Sequence, residues 1–151
     1  MAYIGQADLE YFLGVATVFE LFNDNNAGVV SVNAVNQVCS LASARLDGKL
    51  ARVYTGPFPV TQQPVPDNIK MGTLLYAKAL AYQRRPEYVK QYKDAPMKEA
   101  DAFAEELCQA REYIPDYLAQ PTPANVGTIV SDGSPRIIAD GPDGANNGGD
   151  Y

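Results

Sequence analysis

VNAVNQVCSLASARLDGKLARV, residues 32–53, decides how the rest of the chain is read. Its apolar side chains Val35, Val38, Cys39, Ala42, Leu46, Leu50 and Val53 recur at intervals of three and four. That period places them on one side of a helix, so the stretch predicts a long helix packed against others. Ser31 stands before it as a natural N-cap, able to accept a free amide of the first turn. Gly48 weakens such a helix by about 1 kcal/mol relative to alanine, which predicts that a neighbouring element packs closely there.

Working outward toward the N-terminus, ADLEYFL (7–13) predicts a short amphipathic helix ending at Gly14, and VATVFELF (15–22) a second. The polar stretch NDNNAG (23–28) then breaks the chain. On the other side, TGPFPVTQQPVPDN (55–68) holds four of the 11 prolines and predicts an extended, stiffened inter-helix loop. A loop of that length usually serves a function or a partner. Asp67 is placed to cap a helix over 68–85, where Ile69, Met71, Leu74, Leu75, Tyr76, Ala79, Leu80 and Tyr82 leave little polar face. Apolar residues nearly all round predict a central helix.

Pro86 suits a first helical turn and opens a further helix to about Tyr113. Its stripe is Tyr88, Tyr92, Ala95, Ala102, Phe103, Leu107, Ala110 and Ile114, with an interruption or kink at Pro96. Past Pro115 the helical signal stops. VGTIVSDGSPRIIAD (126–140) has two short β-prone runs around a Ser-Asp-Gly-Ser turn and predicts a small hairpin. The closing GPDGANNGGDY (141–151) is too polar and glycine-rich to offset its own ordering entropy, so its order would have to come from a partner. The expected fold is mainly α: a small bundle of four to five helices with a Pro-rich loop and an extended C-terminal tail. The helical body spans 1–115 and the docking tail 116–151.

At 151 residues and 46% hydrophobic content the chain is long enough for one domain with a real core. Charge is uneven. From Pro115 onward Arg136 alone opposes Asp116, Asp132, Asp140, Asp143 and Asp150, a net of −4 out of the chain's −6. Nothing makes a basic footprint for nucleic-acid phosphates. Cys39 and Cys108 each fall in a helical apolar pattern and read as reduced core cysteines. Asp8 and Glu10 stand where a secretory signal needs basic residues and an apolar run, and no stretch reaches membrane-spanning length. A protein made in a cytoplasm, with no membrane partner, is expected.

The search for chemistry is mostly negative. There is no histidine, which removes the commonest general base and metal ligand. No nucleophile elbow, P-loop or dinucleotide fingerprint is present. NDNNAGVVSVNA (23–34) imitates a calcium loop through Asn23, Asn25 and Gly28. It carries Ala27 and Ala34 where the fifth and twelfth positions need ligands, so it reads as a polar turn. Glu99, Asp101, Glu105 and Glu106 spread over a solvated helix face beside Lys98 and Arg111 rather than forming a dyad. Arg84 and Arg85, the one basic doublet, sit at a helix end where cations suit the dipole, and a subunit contact is the second reading. The 10 tyrosines without tryptophan suit contact surfaces. No catalytic, cofactor or metal residue is assigned, and an interaction protein rather than an enzyme is expected.

The order of several pieces resembles one known group. They are MAY…ADLEYFLG (1–14), the polar break, VNAVNQVCSLASARLDGKLARVY (32–54), PVPDNIK (64–70) and LLYAKALAYQRRPEYVKQYKDA (74–95). Together they resemble the head–tail connector (adaptor, or head-completion) proteins of tailed bacteriophages, in particular the Mu-like branch. There a helix of the form A-x-A-x-I-D-x-x-L-x-x-R-Y leads to a Pro-rich loop, and a later helix ends in Tyr-x-Arg-Arg-Pro. The matching positions are Ala42, Ala44, Leu46, Asp47, Leu50 and Arg52 with Tyr54, then Tyr82, Arg84, Arg85 and Pro86. Val53 separates Arg52 from Tyr54, and the polar break carries Asp24 as its one acidic residue, fewer than are often found in the group. The likeness covers about the first two-thirds of the chain and not the tail.

The resemblance implies a virion structural protein of the neck, assembled in the host cytoplasm, without cofactor. It would form a dodecameric ring of neighbouring copies under the portal protein and present a docking face to a stopper or tail-completion protein below. It would also extend the DNA ejection channel, through which DNA passes without sequence-specific binding. In that setting Ile129, Val130, Ile137, Ile138 and the terminal Tyr151 are the tail residues expected to meet the portal, with Arg136 against an acidic group. Phe58, Val60, Gln62, Gln63 and Val65 of the Pro-rich loop are expected to face a neighbouring subunit or the next ring. The alternatives are another neck component, a stopper or tail terminator, which would be β-rich, and a non-viral helical interaction or DNA-binding module.

Overall fold

The computed structural model describes residues 2–54, 58–59 and 64–109. Within them lie six α-helices: α1 (Gln6–Leu13), α2 (Val15–Phe22), α3 (Val32–Leu50), α4 (Asp67–Tyr82), α5 (Pro86–Tyr92) and α6 (Ala95–Gln109). No strand occurs among the described residues, and the expected hairpin and the boundary at 115 lie outside them. The architecture is mainly α.

α3 forms where its apolar period predicts, and the Ser31 hydroxyl accepts from the Ala34 amide at 3.4 Å as its cap. Val35, Cys39, Ala42, Leu46 and Leu50 are all buried along its inner side. α4 is the central element, in contact with α1, α2, α3 and α6. Its near-continuous apolar surface is explained by that position, since neighbours cover it from several sides. Pro66 rather than Asp67 stands at its cap; Asp67 opens the first turn, where a carboxylate favours the helix dipole.

Side-chain pairs give the helix directions. Arg45 reaches Met97 and Lys49 reaches Asp101, so α3 and α6 run parallel. Tyr76 meets Asp101 while Lys78 meets Glu99, so α4 runs antiparallel to α6 and hence to α3. Gly72 lies where the three helices converge: a Cβ there would stand 3.2 Å from the methyl groups of Leu46 and 3.4 Å from the Phe103 ring. Close approach therefore falls at Gly72, not at Gly48, where an added Cβ would meet nothing within 4 Å. The two buried polar side chains among the described residues are satisfied. Ser43 donates to the Cys39 carbonyl at 2.9 Å and accepts from the Tyr3 amide at 3.0 Å; Thr73 donates to the Ile69 carbonyl at 2.8 Å.

α1 and α2 meet at Gly14, whose φ of 88° is a conformation that side chains oppose. The expected single helix from Pro86 to about Tyr113 is two helices. Lys93, with φ 48°, turns the chain between α5 and α6, and Pro96 sits in the first turn of α6 rather than at a kink. That break resets the helical phase. Pro96, Ala100, Ala104 and Leu107 are buried, while Ala95 and Ala102 of the expected stripe are exposed. α5 buries no side chain.

Candidate functional site

The polar break and the end of α4 come together. Asp24–Asn26 forms a 3₁₀ turn closed by the Asn23 side-chain oxygen, which accepts from the Gly28 amide at 3.0 Å. Arg84 Nη2 donates to both carboxylate oxygens of Asp24, at 2.8 and 2.7 Å. Its guanidinium also lies over the Phe22 ring, 5.1 Å from the centroid. Arg85 Nη2 donates to the Asn23 carbonyl at 2.9 Å. The Nε atoms of both arginines are buried without a hydrogen-bond partner. Asp24, the one carboxylate of the calcium-like stretch, thus faces a guanidinium rather than a cation site. Among the described residues no group of three or more His, Cys, Asp or Glu side chains is placed to hold a metal ion.

Beside this pair stands a tyrosine stack. The Tyr82 and Tyr92 rings lie 5.0 Å apart at 25°, and Tyr88 is 5.0 Å from Tyr82. Tyr88 Oη donates to Glu20 Oε2 at 2.7 Å; that bond, with burial second, pushes its phenol up to about 12. α5 is therefore fixed to the body by aromatic faces and one hydrogen bond. A cavity of about 340 Å³ opens at the corner between Phe19, Glu20, Asn23, Asn26, Arg85, Glu87 and Tyr88. Around it Phe19, Val89 and Tyr92 are exposed, and Tyr11 and Val15 extend apolar surface along α1 and α2. The arrangement suits macromolecular contact: aromatic side chains on a rigid frame with polar groups at the margin.

A second bare region lies on the outer side of α3. Val32 and Leu41 are 56% and 57% exposed, with Asn33, Asn36, Gln37 and Ser40 beside them around an open depression. No charged residue occurs from 25 to 44, a signal present in the sequence beside the inward apolar stripe.

The expected contact residues divide. Arg84 and Arg85 are each about one-quarter exposed and hold the 23–26 turn of their own chain. Phe58 of the Pro-rich loop is half-buried, and its peptide bond to Pro59 is cis. Val65 is a core residue of this chain. Val60, Gln62 and Gln63, and all the tail residues Ile129, Val130, Arg136, Ile137, Ile138 and Tyr151, lie outside the described residues. The sequence reading missed Asp24 as the partner of the basic doublet, since nothing local pairs residues 60 apart. It also missed the Tyr82–Tyr88–Tyr92 cluster, which needs the turn over 83–85 to fold α5 back on the end of α4.

Cys39 is a free core thiol, pushed up to about 11 by burial and then by Asp8; Cys108 is free and half-buried. Among the described residues no helix is long and apolar enough to cross a membrane. Comparison of the chain with family models, with curated proteins and with solved structures finds no match in any of the three.

Proposed function

We propose that this chain is a neck protein of a tailed-phage virion, a non-enzymatic adaptor that forms a ring between the portal and the stopper or tail. The observation that carries the reading is the corner where Arg84 and Arg85 hold Asp24 and Asn23. The polar break and the Tyr-x-Arg-Arg-Pro segment, two of the pieces behind the resemblance, form one structural unit there. A helical body with exposed aromatic side chains at that unit is suited to packing beside copies of itself. The helical content also favours the adaptor over a β-rich stopper or tail terminator.

In this reading residues 116–151 reach the portal through Ile129, Val130, Ile137 and Ile138, with Arg136 against an acidic group. The corner and the Pro-rich loop meet neighbouring copies and the ring below. The acidic balance of the chain leaves DNA free to slide, since like charge discourages phosphate binding.

The test is native mass measurement of the chain mixed with the portal ring of its own phage. Several copies should add to each portal, and a chain truncated after Ala119 should add none while keeping its helical circular dichroism. Undiminished binding by the truncated chain would sink the role of the tail. A full chain that leaves the portal mass unchanged would sink the neck assignment.

A further inference from the structure

α3 is packed along one side and bare along the other. Its outer face carries Val32, Asn36, Gln37, Ser40, Leu41 and Ala44, all exposed, and no charged residue occurs between Asp24 and Arg45. In a chain with 20% charged residues, an ordinary solvated helix face of this length would hold several ions. Exposed apolar groups with the charges removed are the composition of the centre of a contact surface. Toward its C-terminal end stand two exposed cations, Arg45 on the helix, which reaches Met97 of α6, and Arg52 in the turn that follows the helix.

α6 delivers the chain to that end. The Leu107 carbonyl accepts from Tyr54 Oη at 2.9 Å, and the Cys108 thiol lies 3.7 Å from the Lys49 carbonyl. Residues 110–151 therefore begin beside the basic end of the bare face, and from Pro115 onward they carry a net charge of −4. They also hold two apolar β-prone runs, TIV (128–130) and RIIA (136–139).

We infer that residues 110–151 lie along the outer face of α3 of their own chain when it is free in solution. Asp116 and its acidic neighbours meet Arg45 and Arg52, and one of the apolar runs crosses Leu41 toward Val32. Length is no obstacle. The face from Gly48 to Val32 spans about 24 Å at the helical rise, which roughly eight extended residues cover. Ser40, Ala44 and Gly48 recur four apart on the exposed side, and nothing lies within 4 Å of a Cβ built at Gly48. An extended backbone can come close over that line of small residues. This goes beyond the neck assignment and does not depend on it.

The test uses the full isolated chain without portal. A nitroxide at Asn36→Cys, on the outer face but beside the line of small residues, in a Cys108→Ser background, should strongly attenuate the amide signals of residues 128–139. A nitroxide at Lys90→Cys on α5 should not. The attenuation should persist when the labelled chain is diluted with unlabelled, isotopically silent chain, and it should weaken in the Arg45→Glu, Arg52→Glu variant. Equal effects from the two label sites, or none from Asn36, would overturn the proposal. So would attenuation lost on dilution, which would mean that a second copy supplies the covering segment.

Discussion

The meeting of α3, α4 and α6 and the corner around Arg84 hold the same chain together by opposite means. At the first, Leu46 and Ile69 are fully buried, and a carbon added at Gly72 would stand only 3.2 Å from the Leu46 methyl groups and 3.4 Å from the Phe103 ring. At the second, an ion pair, a cation over a ring and three stacked tyrosines do the holding, and no side chain of α5 is buried. The core should resist any change of volume, because its contacts are dense and cannot relax freely. The corner should tolerate changes of volume but respond to charge, salt and pH.

The largest effect is expected at Leu46→Ala, which leaves a cavity lined by α4 and α6. A loss of about 2–5 kcal/mol is expected from urea unfolding; a loss near zero would mean that the three helices collapse readily, removing the contrast. Gly72→Leu attacks the same point from the other side. Overpacking against Leu46 and Phe103 should cost about 1–3 kcal/mol, and it should do so without loss of helical circular dichroism.

These core features differ in how far the sequence exposed them. The inward stripe of α3 and the all-round apolar character of α4 were legible, because burial leaves a period that a single helix reports. Gly72 was not, since its role depends on Leu46 and Phe103 arriving from two other helices. Gly48 drew the same inference and did not merit it. The phase of α6 was lost at Lys93, whose left-handed turn carries no sequence mark of the kind glycine or asparagine would give. At the corner, Arg84 and Arg85 were visible as a charged doublet, but the partner Asp24 lies far away in sequence, and so only the dipole and subunit-contact readings were open. The central helical design is thus a local property of the chain, and the corner is a property of its tertiary meeting.

Asp24→Ala probes that meeting directly. It removes both acceptors of Arg84 Nη2 and leaves Asn23 O as the remaining anchor for Arg85. Both partners are partly exposed, so the cost should be about 1 kcal/mol and should shrink at high salt. A cost equal to that of Leu46→Ala would erase the distinction between the two regions.

pH acts on both regions, since burial also raises Cys39 and Tyr76 in the core, and Tyr88 isolates the share of the corner. The Glu20 hydrogen bond, and then burial, raise Tyr88 from 10.0 to about 12, and burial raises Tyr82 in the same direction. A phenol whose pKa is higher folded than unfolded contributes fully below about pH 10 and loses that contribution as pH climbs through about 12. Stability should therefore fall across that window, and Tyr88→Phe should make the fall shallower. An unchanged slope in Tyr88→Phe would show that Glu20 does not hold α5.

The smallest effect is expected at Gly48→Ala, and its sign carries the information. Gly48 sits inside α3 with nothing within 4 Å of a Cβ built there, whereas Gly72 has neighbours at 3.2 Å. If solvent alone faces Gly48, alanine removes backbone entropy from the unfolded chain and adds helix propensity, a gain of about 0.5–1 kcal/mol. If residues 110–151 lie across the outer face of α3, the added methyl meets their backbone and the gain shrinks or reverses. Thermal unfolding of Gly48→Ala in the full chain and in a chain ending at Gln109 distinguishes the two. A gain that is larger in the shortened chain means that the missing residues approach Gly48; equal gains mean that α3 keeps its outer face bare.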